Sequence, residues 1–290
     1  MHPRQNPGYA YEFEMGMLSV NSGASCSHGG VTSLGDEVFL LRRKERDQVE
    51  VYASYDAITY CIVRYINVPD LRGLVDMTSC EHYRCLYISD HVVMCIHRVD
   101  VQGATIHWPV NDEPFGLSVT KAHNVLVTCD VVRKIKEFSS HGHLLREMTL
   151  PDDVINPWHA MQLTSGQFIV SHGSSVRDDP IHRVCLVSAD GGQIIHSHGG
   201  LRGSNTGQYD GPIHLAVDDN EFVFVVDHNN QRVTLLSPTL NYIRQLASGD
   251  KLKWDPCRLH LDVQRRRLYV AVNKWKDDMC TSGCVVVLGV

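Results

Sequence analysis

Histidine and cysteine are the residue types in this sequence that could contribute most directly to chemistry, because both bind metals and both act in catalysis. The 290 residues include 17 histidines and 10 cysteines. The cysteines lack zinc-finger spacing: no Cys-x-x-Cys pair occurs, and the closest approaches are Cys80 with Cys85 and Cys280 with Cys284. The sequence therefore predicts neither a RING finger nor a bound metal, and we expect reduced thiols.

Half of the cysteines have β-branched or aromatic neighbours, where a free cysteine behaves as a small buried hydrophobic residue. These are Cys61, Cys85, Cys95, Cys129 and Cys185. Known catalytic motifs are also missing, since the sequence has no Gly-x-Ser-x-Gly elbow, no His-Glu-x-x-His and no Walker phosphate loop. We expect no catalytic residue and no cofactor. The sequence leaves enzymatic activity open but favours a protein that is not an enzyme.

Composition and charge narrow the class of protein further. Hydrophobic residues make up 43% of the chain, which is enough for a packed core, and charged residues make up 21%. Lysine and arginine number 27 against 33 acidic residues, a net charge of −6, so a dedicated DNA-binding protein is not expected. No apolar run reaches the roughly 20 residues of a membrane helix, and residues 1–16 lack the apolar stretch of a signal peptide. We expect a cytoplasmic protein without membrane contact.

Short apolar runs separated by glycine, aspartate, asparagine and proline indicate β-strands rather than helices. One such block recurs six times and ends at Arg43, Asp90, Asp130, His172, Asp227 and Asn273. Successive ends are 47, 40, 42, 55 and 46 residues apart. A period in the forties is typical of a β-propeller with four-stranded blades. The sequence thus predicts an all-β, six-bladed β-propeller.

The predicted ring occupies the chain as a single domain, residues 1–290. Its blades are expected at about 28–68, 69–110, 111–151, 152–199, 206–250 and 251–290. The last of these has only three recognisable strands. Residues 9–17 alternate apolar and polar side chains, as a half-buried strand does. We therefore expect this amino-terminal segment to be the outer strand of the last blade and to close the ring.

One stretch of the sequence resembles a known repeat. Residues 211–218 (GPIHLAVD), followed by residues 226–233 (VDHNNQRV), resemble the NHL repeat, and a glycine-rich link precedes them. Partial copies occur at residues 86–99, 157–184 and 256–262. The resemblance covers most of residues 70–275 and is looser outside the fifth predicted blade. It identifies the chain as similar to NHL-repeat six-bladed propellers, including those of the tripartite-motif type.

The resemblance implies a recognition role. NHL propellers are usually binding modules, often carried behind the zinc domains of tripartite-motif ubiquitin ligases, and some bind RNA stem-loops. It therefore implies a non-catalytic module that binds a protein partner and that could select substrates for such a ligase. An RNA-binding propeller is the alternative, and a metal-dependent lyase or lactonase is the third and least favoured hypothesis.

Aligning the starts of the innermost strands places five residues in one column around the predicted channel. They are Arg72, Gly116, His159, His214 and Arg258. Four of the five are cationic or can become so, which would favour an anionic ligand such as an acidic peptide, a phosphate or a carboxylate. Alternatively, each side chain bonds the backbone of its neighbours and seals the channel. Both interpretations stay open, and the candidate ligand-facing residues are Arg72, His159, His214 and Arg258.

His260 lies two residues beyond Arg258 and would share its face, deeper in the channel. Amidating-lyase propellers, which resemble this fold, hold zinc on channel histidines. A catalytic zinc needs about three protein ligands. Since only His159 and His214 align and His260 is displaced, we predict no metal here.

Two further arginines are secondary candidates. Arg232 can pair with Asp227 across a short hairpin, an arrangement that recurs loosely in other blades and therefore suggests a role in the fold. Arg133 belongs to a basic cluster near a connection between the second and third strands, and a similar cluster begins at Arg42. Together these clusters could form a local basic surface for RNA despite the acidic total.

Overall fold

The short apolar runs form strands because β-branched and aromatic side chains pack well on a pleated surface that neighbouring sheets cover. The computed structural model describes residues 15–18, 28–42, 48–54, 59–173, 178–276 and 279–290. Within them, 24 strands are arranged as six antiparallel four-stranded sheets, with one short helix, α1 (Gly249–Leu252). This arrangement confirms the predicted all-β, six-bladed propeller.

Blades 1 to 3 follow one another along the chain, each running from the channel outwards. Blade 1 consists of β2 (His28–Leu34), β3 (Glu37–Arg42), β4 (Gln48–Ser54) and β5 (Tyr60–Asn67). Blade 2 consists of β6 (Leu74–Cys80), β7 (Cys85–Asp90), β8 (Cys95–Asp100) and β9 (Thr105–Pro109). Blade 3 consists of β10 (Leu117–Val119), β11 (Val125–Cys129), β12 (Lys134–Phe138) and β13 (Leu144–Thr149).

Blades 4 and 5 repeat this order, and blade 6 departs from it. Blade 4 consists of β14 (Pro157–Gln162), β15 (Phe168–His172), β16 (Ile181–Val187) and β17 (Ile194–Leu201). Blade 5 consists of β18 (Pro212–Val217), β19 (Val223–Asp227), β20 (Arg232–Leu236) and β21 (Tyr242–Ala247). Blade 6 consists of β22 (Asp255–Asp262), β23 (Arg267–Lys276), β24 (Met279–Gly289) and β1 (Met15–Leu18).

The amino-terminal strand completes the last blade, as the alternation in the sequence predicts. Strand β1 pairs antiparallel with β24, with Met15 opposite Leu288 and Leu18 opposite Val285. The other residues of the predicted strand, 9–14, lie outside the described residues. The two chain-terminal regions are therefore joined in one sheet, which closes the ring.

The hydrophobic core lies between the blades rather than at the axis. Every residue of β7, β11, β15 and β19 is buried, because neighbouring blades cover both faces of these second strands. Between blades 1 and 2, for example, Phe39 and Leu41 share a cluster with Leu86 and Ile88. The innermost strands line the axis of the ring, and the side chains that they place there are largely polar.

Candidate functional site

A β-bulge near the start of most innermost strands presents one residue of each to the channel. In β14, for instance, the register shifts between Pro157 and His159, and in β22 it shifts between Pro256 and Arg258. The residues at this level are Gly30, Asp76, Gly116, His159, His214 and Arg258. The two glycines are required by close approach: a Cβ at Gly30 would lie 2.6 Å from that of Met77, and one at Gly116 would lie 2.3 Å from the Trp158 carbonyl.

The placement of Arg72 in this column is wrong. Arg72 lies in the link before β6, and its side chain is 64% exposed. Leu74 pairs with Asp90 and the register then shifts before Met77, so the column residue of blade 2 comes four positions later, at Asp76. The channel therefore contains a carboxylate where the alignment had placed a guanidinium.

The Asp76 carboxylate is the centre of a buried polar group, which we call the channel cluster: Asp76, His159, His214 and Arg258. Its Oδ2 lies 3.3 Å from His214 Nε2 and 3.9 Å from His159 Nε2, and it accepts a hydrogen bond from the Leu117 backbone at 2.8 Å. Its Oδ1 lies 3.1 Å from Arg258 Nε. All four side chains are buried.

Arg258 connects two blades across the channel. Its guanidinium donates to the Val75 carbonyl in blade 2 at 2.6 Å and to the Cys257 carbonyl in its own blade at 2.8 Å. Together with the ion pair to Asp76, these bonds give the positive charge of the guanidinium partners in both blade 2 and blade 6. The guanidinium is thus committed to protein groups and is closed off from solvent.

Hydrogen bonding places a proton on Nε2 of both imidazoles and makes His214 neutral. The Leu259 N–H donates to His214 Nδ1 at 3.3 Å, which leaves Nε2–H to donate to Asp76. His159 Nε2 lies 2.9 Å from the Leu117 carbonyl, which can only accept, so this nitrogen also carries the proton. The rings lie 3.9 Å apart, an arrangement that disfavours two positive charges.

The electrostatics agree with one carboxylate, one guanidinium and two neutral imidazoles. Burial, reinforced by His214, lowers the pKa of His159 to about 3, and burial also lowers the pKa of His214. Burial raises the pKa of the Asp76 carboxyl, but its interactions with His214 and Arg258 outweigh this effect and bring the pKa to about 2. The channel cluster is therefore close to neutral as a whole.

The channel cluster has the outline of a cation site, but most of its donor atoms are engaged. Ligand atoms of Asp76, His159 and His214 all lie within 4.8 Å of one another. However, both Nε2 atoms carry protons, His214 Nδ1 accepts from Leu259, and Asp76 Oδ1 faces Arg258, which leaves His159 Nδ1 as the one imidazole nitrogen of the cluster without a hydrogen bond. A metal ion would have to break these bonds beside a buried guanidinium. The residues fit a channel seal better than a metal centre.

His260 occupies a second layer and does not join the channel cluster as a ligand. Its Nδ1 lies 3.1 Å from Thr32 Oγ1 and its Nε2 lies 2.9 Å from Ser33 Oγ, so it joins blade 6 to blade 1. Ser33 in turn donates to Asp262. Burial lowers the pKa of His260 to about 4. This layer also closes the channel with hydrogen bonds between neighbouring blades.

The two secondary arginines are both paired with acids. Arg232 donates from Nε to Asp227 at 2.7 Å and also reaches the carbonyl of Gln208, so it holds the link into blade 5. Arg133 lies 2.9 Å from Asp152 in an exposed pair.

The other cations of the Arg133 cluster also have acidic partners. Lys134 lies 2.6 Å from Glu147, and Lys136 lies 2.6 Å from Asp112. The second basic cluster falls mostly on residues 43–47, outside the described residues. Within the described part, these pairs leave little unbalanced positive charge at the Arg133 cluster.

A second candidate region lies on the face of the ring formed by the links into the innermost strands and by the connections between second and third strands. We call it the blade 2 groove; it has a volume of about 430 Å³. Its lining residues are Asp70, Arg72, Val93, Cys95, His97, His107 and Pro109. Arg72, which is absent from the channel, is therefore at the rim of this groove.

The groove contains a thiol beside an imidazole. Cys95 Sγ lies 3.3 Å from His97 Nε2, and both side chains are almost fully buried. Burial, with the charge of Asp90, raises the pKa of the Cys95 thiol to about 11, so the thiol is neutral. With the ring proton on Nδ1, His97 Nε2 can accept a hydrogen bond from this thiol. Sequence analysis missed this pair by treating Cys95 as a buried hydrophobic residue. The alternation Cys95-x-His97 within one strand was the available signal.

Exposed apolar side chains border the same face. Val92, Val93 and Met94 form the connection between β7 and β8, and Val131 lies in the equivalent connection of blade 3. These four side chains are between 46% and 60% exposed. Turns at a protein surface usually carry polar residues. An apolar group of this kind at one face of the ring is typical of an interaction surface.

Several solved structures share this fold. A streptogramin B lyase structure aligns with a TM-score of 0.63 at 9% identity, covering 95% of this chain and 97% of that one. These likenesses show the fold alone. A catalytically inactive virginiamycin B lyase variant from Staphylococcus aureus, solved with quinupristin, aligns at 0.62 and 9% identity over 96% of this chain and all of that one. The Cps50 (Swd1) β-propeller domain of Myceliophteria thermophila aligns at 0.57 and 9% identity, over 91% and 83%.

Sequence comparisons add no family. No protein-family model matches the sequence, and no curated protein matches it. The NHL resemblance therefore remains a prediction. Among the described residues, no helix is long and apolar enough to cross a membrane.

Proposed function

We propose that the protein is a non-catalytic interaction module that binds a protein partner across the face bearing the blade 2 groove. The observation that carries this proposal is the exposed apolar group of Val92, Val93, Met94 and Val131 on that face. The channel cluster supports it by contrast, because its four side chains are buried and its charged groups are paired with each other. The chemistry available to a ligand is therefore on the surface and not at the axis.

The apolar connection of blade 2 is held rigidly. The Asp90 carboxylate accepts hydrogen bonds from the backbone of Arg72, Gly73 and Val92 at 2.6 to 3.0 Å. A Cβ at Gly73 would lie 2.2 Å from Val92 Cγ2, so the valine packs directly on the link. A surface fixed in this way loses little conformational entropy when a partner binds.

The chemistry of the face suggests the partner. Its apolar connections fit apolar side chains, and the exposed Arg72 at the groove rim fits a carboxylate. Arg72 is only weakly engaged at present, 4.0 Å from Asp70. We therefore propose a protein segment with apolar residues beside an acidic one. With the NHL resemblance, this segment would belong to a cytoplasmic substrate selected for a ubiquitin ligase.

A matched pair of variants tests the proposal. Val92→Asp with Met94→Asp changes the proposed face, and Val263→Asp places a charge in the exposed turn between β22 and β23, on the opposite face. Proteins retained by the tagged full chain in cells are quantified by mass spectrometry for each variant. We expect partners that bind the wild type and Val263→Asp but not the double variant, and direct binding once such a partner is purified.

Two results would contradict the proposal. If the double variant and Val263→Asp retained the same proteins as the wild type, this face would not be the binding surface. If ultraviolet crosslinking recovered RNA from the wild type and the double variant lost RNA rather than protein, the RNA-binding alternative would replace it. Equal thermal melting of all variants shows that each is folded.

A further inference from the structure

Three metal-ligating side chains meet on one side of blade 2, in the groove. Cys95 and His97 are alternate residues of β8 and therefore point to the same side of the sheet. His107 in β9 lies directly opposite His97 in the antiparallel register. Side chains in these relations are near neighbours on a sheet surface. The strand pairing thus brings one sulfur and two imidazoles together from within a stretch of thirteen residues.

The distance between Cys95 and His97 suits a transition-metal ion, and His107 has to rotate to join them. Ligands at about 2.3 Å (sulfur) and 2.0 Å (nitrogen) from a tetrahedral ion are roughly 3.5 Å apart, and Cys95 Sγ lies 3.3 Å from His97 Nε2. The rings of His97 and His107 lie 5.6 Å apart between centroids. His107 is exposed, so rotation about its side-chain torsions can bring a ring nitrogen closer without disturbing the core.

The surroundings provide negative charge and a fourth ligand. Asp90 Oδ2 lies 3.7 Å from His97 Nε2, and its carboxylate is fixed by backbone N–H groups. This carboxylate lies on the side of the ligating nitrogen, and its negative charge favours a cation bound there. Asp70 lines the groove with an exposed carboxylate and can complete the coordination. The opposing charge of Arg72 lies at the exposed rim, where solvent screens it.

We propose that Cys95, His97 and His107, with Asp70 or water as the fourth ligand, bind a divalent transition metal of the zinc class. Sulfur and imidazole donors select such an ion over magnesium or calcium. Binding replaces the Cys95 S–H bond with a sulfur–metal bond, and the proton passes to solvent. A thiolate, a carboxylate and two neutral imidazoles then balance the charge of the ion.

Cobalt(II) is the probe, because a thiolate ligand gives tetrahedral cobalt a charge-transfer absorption that nitrogen and oxygen ligands do not. The full chain, freed of metal with a chelator and kept reduced, is titrated with cobalt(II) and then with zinc(II). We expect one equivalent of cobalt per chain, a charge-transfer band, and loss of that band as zinc displaces the cobalt.

Variants identify the ligands. Cys95→Ser should remove the charge-transfer band, and His107→Ala should weaken binding by at least about 10-fold. Two matched controls should leave the titration unchanged. Cys61→Ser removes a more accessible thiol, and His123→Ala removes a ring that stacks on His82 at 4.1 Å on the opposite face.

Three outcomes would overturn the proposal. The first is no cobalt uptake by the metal-free wild type. The second is a charge-transfer band that persists in Cys95→Ser. The third is a titration that His123→Ala abolishes and His107→Ala does not. Cys95 directly follows the apolar connection of blade 2, and Val93 also lines the groove. Cobalt uptake and partner capture are nevertheless separate measurements on the same chain, so failure of the first would leave the proposed protein-binding function standing.

Discussion

The channel cluster and the blade 2 groove both gather histidines beside an aspartate, yet they differ in which atoms remain available. In the channel, His159 and His214 carry their protons on the nitrogens that approach Asp76. In the groove, His97 Nε2 lies beside a thiol whose proton can leave. The channel ligand atoms are the more tightly grouped, within 4.8 Å. Closeness of ligand atoms is therefore a weaker sign of a metal site than free lone pairs.

The same contrast separates stability from function. The channel cluster joins blades 2, 4, 5 and 6 through buried bonds, so its loss should mainly affect the fold. The groove contains exposed Asp70, Arg72 and His107, whose loss should mainly affect what the protein binds. The two regions can be distinguished by substituting matched residues in each.

The largest effect is expected from Asp76→Ala, which leaves the buried Arg258 guanidinium without its carboxylate. Loss of one partner of a buried ion pair costs about 3–5 kcal/mol. The matched change in the groove, Asp70→Asn, keeps a residue type that tolerates the left-handed backbone at φ 65° and should alter the free energy of unfolding by no more than about 0.5 kcal/mol. Unfolding in guanidinium chloride measures the free energy of unfolding of both variants. Similar costs for the two variants would remove the distinction between the regions.

The second-largest effect is expected from acid, which should lower the free energy of unfolding through the channel cluster. The folded protein keeps His159 neutral down to about pH 3, whereas the unfolded chain protonates it below about pH 6.5. Stability is therefore lost as the pH falls through this window, by about 1.4 kcal/mol per pH unit for this one group. Asp76 extends the loss below pH 3.8, since its folded pKa is lowered to about 2.

Urea unfolding of the wild type and His159→Gln between pH 7 and pH 4 tests this expectation. Glutamine can still donate to the Leu117 carbonyl but does not take up a proton, so the variant should show a shallower loss of stability. Equal slopes would mean that His159 is not held neutral in the fold.

Zinc should stabilise the protein through the groove and not through the channel. At a free zinc concentration about 100 times the dissociation constant, binding to the folded state alone adds about 2.7 kcal/mol. The rise in the midpoint of thermal unfolding that zinc produces should vanish in Cys95→Ser and persist in His159→Gln. The opposite pattern would make the channel cluster the metal site.

The smallest effect on stability is expected from Arg72→Ala, within about 0.5 kcal/mol, because the side chain is mostly in solvent. The same change should weaken binding of the proposed acidic partner. Arg258→Ala is the matched variant in the channel cluster, and it should lower the free energy of unfolding because its side chain is buried. Partner binding that is unchanged in Arg72→Ala would exclude this arginine from the binding surface.

The sequence period was sufficient to predict the six blades and the closing strand. The channel residue of blade 2 could not be predicted from the same pattern, because a register shift in β6 moves it from Arg72 to Asp76. Alignment by spacing does not detect such a shift. The roles of His159 and His214 depend on a hydrogen bond to the Leu117 carbonyl and one from the Leu259 N–H, which no residue pattern specifies. His107 joins Cys95 and His97 only through strand register.

The bond between Arg258 and the Val75 carbonyl also has a consequence for folding. It joins residues 183 positions apart in the chain. Contacts of such long range form late, because the intervening chain must first be ordered. Blades 2 to 5 must therefore stand in place before Arg258 can reach its acceptor. Protection of the Arg258 side chain would thus report the completion of the ring, and mutations there should accelerate unfolding more than they slow folding.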